Sequence, residues 1–193
     1  MDNANSSEKV WLTGVPEETN RMYGIISGYW ASQIAGTLAR LGIPDRLSAG
    51  PLNTVDLAAE LDCDSGAVSS LLRAAASIDI LSGGPEGTFS LTPLGSTLRS
   101  EVPGSLRGMA ATLTAPCHWE PWGQLEQVVR TGKESTETAL GADFFGYLGR
   151  HQDQLKDFLA AMDDVSRLIE TEAVRVLDFP DGAHWSTSAA VQE

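Results

Sequence analysis

Basic residues are scarce in this chain: 13 Lys and Arg stand against 26 Asp and Glu in 193 residues, a formal charge of −13 at pH 7. An acidic surface repels phosphate backbones, which sets nucleic acid aside as an expected partner. Cysteine is scarcer still. Cys63 and Cys117 are the two thiols, without the paired spacing of a redox or zinc motif and too few for a disulfide framework. No apolar run reaches the roughly 18–20 residues that cross a bilayer. The opening MDNANSSEKV lacks the apolar stretch of a secretory signal. Internal repeats and low-complexity tracts are absent. These absences lead to the expectation of a cytoplasmic protein with reduced thiols, away from membranes.

What is present is helical pattern. Hydrophobic residues make up 42% of the chain, enough for a real core. Residues 1–20, rich in Asn, Ser and Glu, read as a flexible arm. In GYWASQIAGTLARLGIPDRL, Trp30, Ile34, Leu38 and Leu41 recur at helical spacing, and Gly42 with Pro44 closes the segment. Thr54 is the expected N-cap of a helix carrying Leu57 and Leu61 on one face. Asp64 is the expected N-cap of the next, which carries Val68, Leu71, Leu72 and Ala75. Two β-prone runs, Ile80–Ser82 and Thr88–Leu91, flank a Gly/Pro turn and predict a small hairpin. Thr92 before Pro93 then opens another helix. Helical segments continue to a long final one, from His151 to about Phe179, which spans about 40 Å at 1.5 Å per residue. It leaves through Pro180-Asp181-Gly182.

Helix, helix, hairpin is the order of a winged helix. Such a fold reads DNA by laying its second helix in the major groove, with cations on the phosphates. Here that helix, DSGAVSSLLRAAASI, offers one cation, Arg73, and the turn GGPEG offers Glu86. Both surfaces are neutral or acidic, so the fold is expected to serve as a scaffold, with a DNA-binding regulator the least favoured reading.

The segments LGIPDRL, LAAELDCDSGAVSSLLRAAASIDIL, FSLTPLGSTLRSEVPGSLRGMA, WEPWGQLEQVVRTGK and ADFFGYLGRHQDQLKDFLAAM follow one another in the order and spacing of a known family. Over about residues 24–180 the chain resembles the N-terminal half of bacterial small-molecule O-methyltransferases, which use S-adenosylmethionine in polyketide and related natural-product pathways. The resemblance implies a mainly α fold: a winged-helix-like dimerisation domain over 21–115, with one small β-hairpin, whose helices intertwine with a second copy. It implies a helical substrate-pocket and linker region over 116–180, with the long C-terminal helix. A cofactor-binding α/β domain is expected where residues 181–193 stand. Its glycine-rich GxGxG turn occurs nowhere in the sequence, and a single βα unit of that kind takes about 30 residues. No cofactor is therefore expected on this chain, and methyl transfer by the chain alone is not expected. A natural short homologue, a split half and a frameshifted fragment all fit that pattern.

Chemistry-bearing residues gather in CHWEPWG and ADFFGYL. Trp119 and Trp122, three apart, share a helical face and offer flat walls for an aromatic polycycle, or else anchor a core or dimer contact. Phe144, Phe145 and Met162 occupy positions that the resemblance places toward the substrate, although Met also fills core gaps. His118 is the one weak catalytic candidate, an acid or base near neutrality, against the plainer role of a hydrogen-bonded structural residue. Cys117 beside it lacks further ligands for a metal. Asp163-Asp164 and Glu170/Glu172 read as a solvated helix face. The expected function is a truncated O-methyltransferase-like homodimer that binds a hydrophobic polycyclic ligand or a partner methyltransferase in trans. A cofactor-independent cyclase or isomerase, working by holding a reactive conformer in the helical pocket, is the alternative.

Overall fold

The structure, a computed structural model, describes residues 12–176, with side chains through residue 170. The expected exit turn at Pro180-Asp181-Gly182, the tail 181–193 and the first eleven residues lie outside the described residues. Helix α1 (Glu17–Arg40) begins behind Pro16, inside the stretch read from sequence as an arm. Glu17 and Glu18 sit in its first turn and Arg40 in its last, each matching the sign of the helix dipole. Its end is set by Gly42, whose φ of 63° is left-handed. The short α2 (Ile43–Arg46) then turns the chain back.

Two helices follow, α3 (Thr54–Leu61) and α4 (Ser65–Ser77). Asp64 caps α4 as expected, accepting from Ala67 N at 2.7 Å. The cap of α3 is Asn53, one residue earlier than the expected Thr54: its amide oxygen takes the Asp56 N–H at 2.9 Å. The hairpin forms from β2 (Leu81–Gly83) and β3 (Thr88–Leu91). It is joined by a two-residue strand, β1 (Leu52–Asn53), giving a three-stranded antiparallel sheet in the order β1-β3-β2 with Leu52 opposite Phe89 and Leu81 opposite Leu91. Leu38, Ile43, Leu47, Leu57, Leu72 and Phe89 meet in the core between helices and sheet. Thr92 caps α5 (Pro93–Ser96), accepting from Gly95 N at 3.0 Å.

The rest is helical: α6 (Arg107–Leu113), α7 (Pro116–Gly123), α8 (Leu125–Thr131), α9 (Thr136–Leu140), α10 (Phe144–Arg150) and α11 (Gln152–Val176). α6 packs against both α1 and α11, and it does so closely because glycine stands at both crossings. A methyl on Gly36 would lie 1.8 Å from Thr114 Oγ1, and one on Gly108 would lie 2.5 Å from backbone atoms of Ala160 and Ala161. Asp164 corrects the reading of a solvated acidic face. It is 5% exposed, and its carboxylate accepts the Gly108 N–H at 2.8 Å, one of the donors a helix start leaves unpaired. Asp163 stays outside, paired with Arg167 at 2.7 Å.

No helix among the described residues is long and apolar enough to cross a membrane. The cation expected on α4, Arg73, donates to the hydroxyls of Ser69 and Ser70.

Replacing Gly108 by Ala is expected to lower the unfolding free energy by about 1–3 kcal/mol, because backbone on both sides of the crossing must move apart. Urea unfolding measures this, and a wild-type midpoint would contradict the close crossing.

Candidate functional site

The site grows from the corner where α7, α10 and α11 meet. Pro116 opens α7 with its missing N–H at a position that needs none. No side chain of α7's own N-terminus caps it. Gln154, on α11 and 9% exposed, does so instead: its Oε1 accepts the Cys117 N–H at 3.1 Å, and its Nε2 donates to Tyr147 Oη at 3.3 Å. One side chain thus ties three helices. Asp143 caps α10 through Gly146 N at 2.9 Å. His151, between α10 and α11, stacks on Tyr147 with ring centres 3.8 Å apart. Ala115, Cys117 and Leu148 form the small core under this corner.

On top of that core lies a face of aromatic rings. Phe158 of α11 is its centre, 5.4 Å from Phe144, 6.3 Å from Phe145 and 6.4 Å from the His118 ring, which it stacks upon. His118 also meets the Phe144 ring edge-on at 5.1 Å. Phe145 is 69% exposed, and Leu159 and Met162 of α11 are exposed as well. Of the residues expected from sequence, His118, Phe144 and Phe145 are therefore brought together, and Met162 stands one helical turn beyond Phe158. Trp119 is half exposed on α7. Trp122 goes elsewhere, lining a groove of about 270 Å³ with Pro121, Leu125, Val128 and Ser135. Phe158 is not among the residues that sequence reading singled out; its place four residues before Met162 is the signal that marks it.

Burial pushes the Cys117 thiol up and the His118 imidazole down from their ordinary values; the Thr112 carbonyl, accepting from the imidazole, offsets the latter in part. Cys117 Sγ lies 3.3 Å from His118 Nδ1, so at neutral pH this is a neutral thiol beside a neutral ring. It lacks the charge separation of an activated Cys–His pair. No group of three or more His, Cys, Asp or Glu that could hold a metal occurs among the described residues. S-adenosylmethionine is the cofactor that the resemblance implies for the family. The sheet among the described residues is three short antiparallel strands, whereas nucleosides sit at the strand ends of a parallel sheet.

A second apolar feature lies on the winged helix. Met22, Ile25, Ile26 and Tyr29 stand at i, i+3, i+4 and i+7 on α1, and all four are exposed, Ile25 to 74%. One turn beyond Tyr29, Ser32 enters an apolar groove of about 520 Å³ lined by Ala35, Ile80, Leu94, Leu98 and Met109. Sequence reading passed over this stripe, although MYGIISGY carries the helical period plainly.

Residues 23–101 match the model of the O-methyltransferase dimerisation domain. The chain is 33% identical over 168 residues to the 8-amino-8-demethylriboflavin N,N-dimethyltransferase of Streptomyces davaonensis, covering 85% of this chain and 48% of that protein. It is 30% identical over 155 residues to the phenazine O-methyltransferase PhzM of Lysobacter antibioticus, covering 80% and 45%. Among solved structures, the Streptomyces davawensis dimethyltransferase superposes with a TM-score of 0.74 at 31% identity, over 83% of this chain and 48% of that one. LaPhzM superposes with a TM-score of 0.77 at 30% identity, over 86% and 49%. The chain thus spans about half the length of the relatives it matches.

Thiol chemistry tests the burial at the corner. One thiol per chain, Cys63, is expected to react with an aromatic disulfide reagent in the native protein, and Cys117 only in denaturant. Two fast equivalents in the native state would contradict it.

Proposed function

Residues 23–101 belong to the O-methyltransferase dimerisation domains, and from that premise we propose that this chain is the dimerising, acceptor-holding part of a natural-product methyltransferase. Residues 21–115 make the dimer, and 116–180 present the wall against which the acceptor lies. The observation that carries the reading is the aromatic cluster of the half-buried His118, Phe144 and Phe158 with the exposed Phe145, held by the buried Gln154 at the corner of three helices. Apolar, and fixed by edge-to-face ring contacts, it suits a fused-ring aromatic. The relatives named for phenazine and riboflavin derivatives act on compounds of that shape.

Dimerisation follows from the α1 stripe. Leaving Ile25 and Ile26 in water forgoes about 1.5–3 kcal/mol each of burial. Both the stripe and part of the groove wall are carried by α1, and in this reading a two-fold axis buries each copy's stripe against the other copy. Methyl transfer itself needs a nucleoside-holding fold, which these residues do not supply. In this reading the chain works with such a domain, joined to it or supplied in trans by a partner methyltransferase.

Light scattering behind gel filtration is expected to give a dimer, and the double substitution Ile25→Asp with Ile26→Asp a folded monomer. Calorimetry of the 193-residue polypeptide with S-adenosylmethionine is expected to show no binding. A monomeric wild type would remove the dimer reading, and clear micromolar binding of the cofactor would remove the division of labour.

A further inference from the structure

We infer that Arg40 is a positioning residue: from the last turn of α1 its guanidinium holds the end of α6, and through it sets where α7 places Cys117 and His118. Arg40 Nη1 donates to the Ala111 carbonyl at 3.1 Å and to the Thr114 hydroxyl, acceptors 71 and 74 residues along the chain. Ala111 belongs to the last turn of α6, where carbonyls have no partner within the helix. The C-terminal ends of α1 and α6 thus meet at one fixed positive charge, which both helix dipoles favour.

Thr114 leaves little slack in this connection. It is 8% exposed, donates its own proton to the Ala110 carbonyl at 2.8 Å, and lies against the bare backbone of Gly36, one turn of α1 before Arg40. The buried Ala115 alone separates it from Pro116, the first residue of α7, and the Ala115 carbonyl accepts from His118 N at 3.1 Å and Trp119 N at 2.9 Å. The same cation reaches α11: burial pushes the carboxyl of Asp157, the neighbour of Phe158, upward, and Arg107 and Arg40 pull it partly back. Gln154 therefore fixes α7 from the side of α11, and Arg40 fixes it from the side of α1. The helix that carries the exposed apolar stripe is in this way linked to the ring cluster by a charged side chain as well as by packing. How the cluster is held is separate from what lies on it, so failure of either reading leaves the other standing.

The test uses the 193-residue protein with Cys63→Ser, which leaves Cys117 as its one thiol. Arg40→Met is compared with Arg40→Lys and with Val68→Ala, a change in the separate core of the winged helix, at measured urea midpoints. In Arg40→Met an aromatic disulfide reagent is expected to modify Cys117 on the order of tenfold faster under native conditions, the weight of one charged hydrogen bond. Val68→Ala should stay within about twofold of the parent, and Arg40→Lys, which keeps charge and donors, should recover most of the protection. The His118 ring-proton resonances, displaced by the rings of Phe144 and Phe158, should move in Arg40→Met and hold in Val68→Ala. If Arg40→Met does not fold, Thr114→Val removes the hydroxyl acceptor at constant shape and carries the same comparison. Parent-like Cys117 rates and His118 resonances without the Arg40 contact would overturn the inference. So would a rise that merely follows the urea midpoint in every variant, since that is the mark of general stability and not of position.

Discussion

A helix that is core along one half and bare apolar surface along the other imposes the main constraint on this molecule. The C-terminal half of α1 buries Leu38 and Ala39 completely, while the N-terminal half carries Met22, Ile25, Ile26 and Tyr29 outward as one stripe. A strongly acidic surface keeps such a chain soluble through net charge, yet a contiguous apolar face of this kind is characteristic of an interface. On the dimer reading proposed above, assembly uses the same helix that anchors the core, and stripping the stripe of its apolar residues should leave the winged helix itself intact.

From α1 the constraint passes to α6 and then to α11. Gly36 and Gly108 allow backbones to meet with no side chain between them, and Asp164 fastens the second crossing by a buried hydrogen bond. Interiors packed this tightly transmit position and do not absorb it. The orientation of α11 thus follows from that of α1, and with it the direction in which Phe158 and Met162 point. Gln154 adds the last tie by capping α7 from α11. An aromatic surface held this way is preorganised, so a ligand lying on it orders few side chains. The electrostatics agree with a binding role: burial keeps both Cys117 and His118 neutral, which suits recognition better than nucleophilic chemistry.

Much of this was legible in the sequence because it depends on local chemistry. Asp64 and Thr92 announce their caps, Gly132 ends α8 in a left-handed turn, and Thr88–Leu91 shows strand alternation. The Asn53 cap was displaced by one residue because Asn and Thr are both good caps, and only the chain path decides between them. β1 is two residues long, too short for any period to show. Asp164 looks like its neighbour Asp163 in sequence, and only the crossing of α6 makes one structural and the other solvated. Trp119 and Trp122 have the spacing of a shared wall, but α7 is short and gives way to α8 at Gln124, and Trp122 lines the groove there. Resemblance in register across five segments supplied what local pattern could not, the pairing of a winged helix with a methyltransferase.

Hydrogen–deuterium exchange of α1 at a series of protein concentrations tests the central claim most directly. Amides of the N-terminal half of α1 are expected to be protected in concentrated solution and to lose that protection on dilution, while those facing Leu38 and Leu72 stay slow throughout. Exchange along the whole of α1 that does not change with concentration would contradict the account.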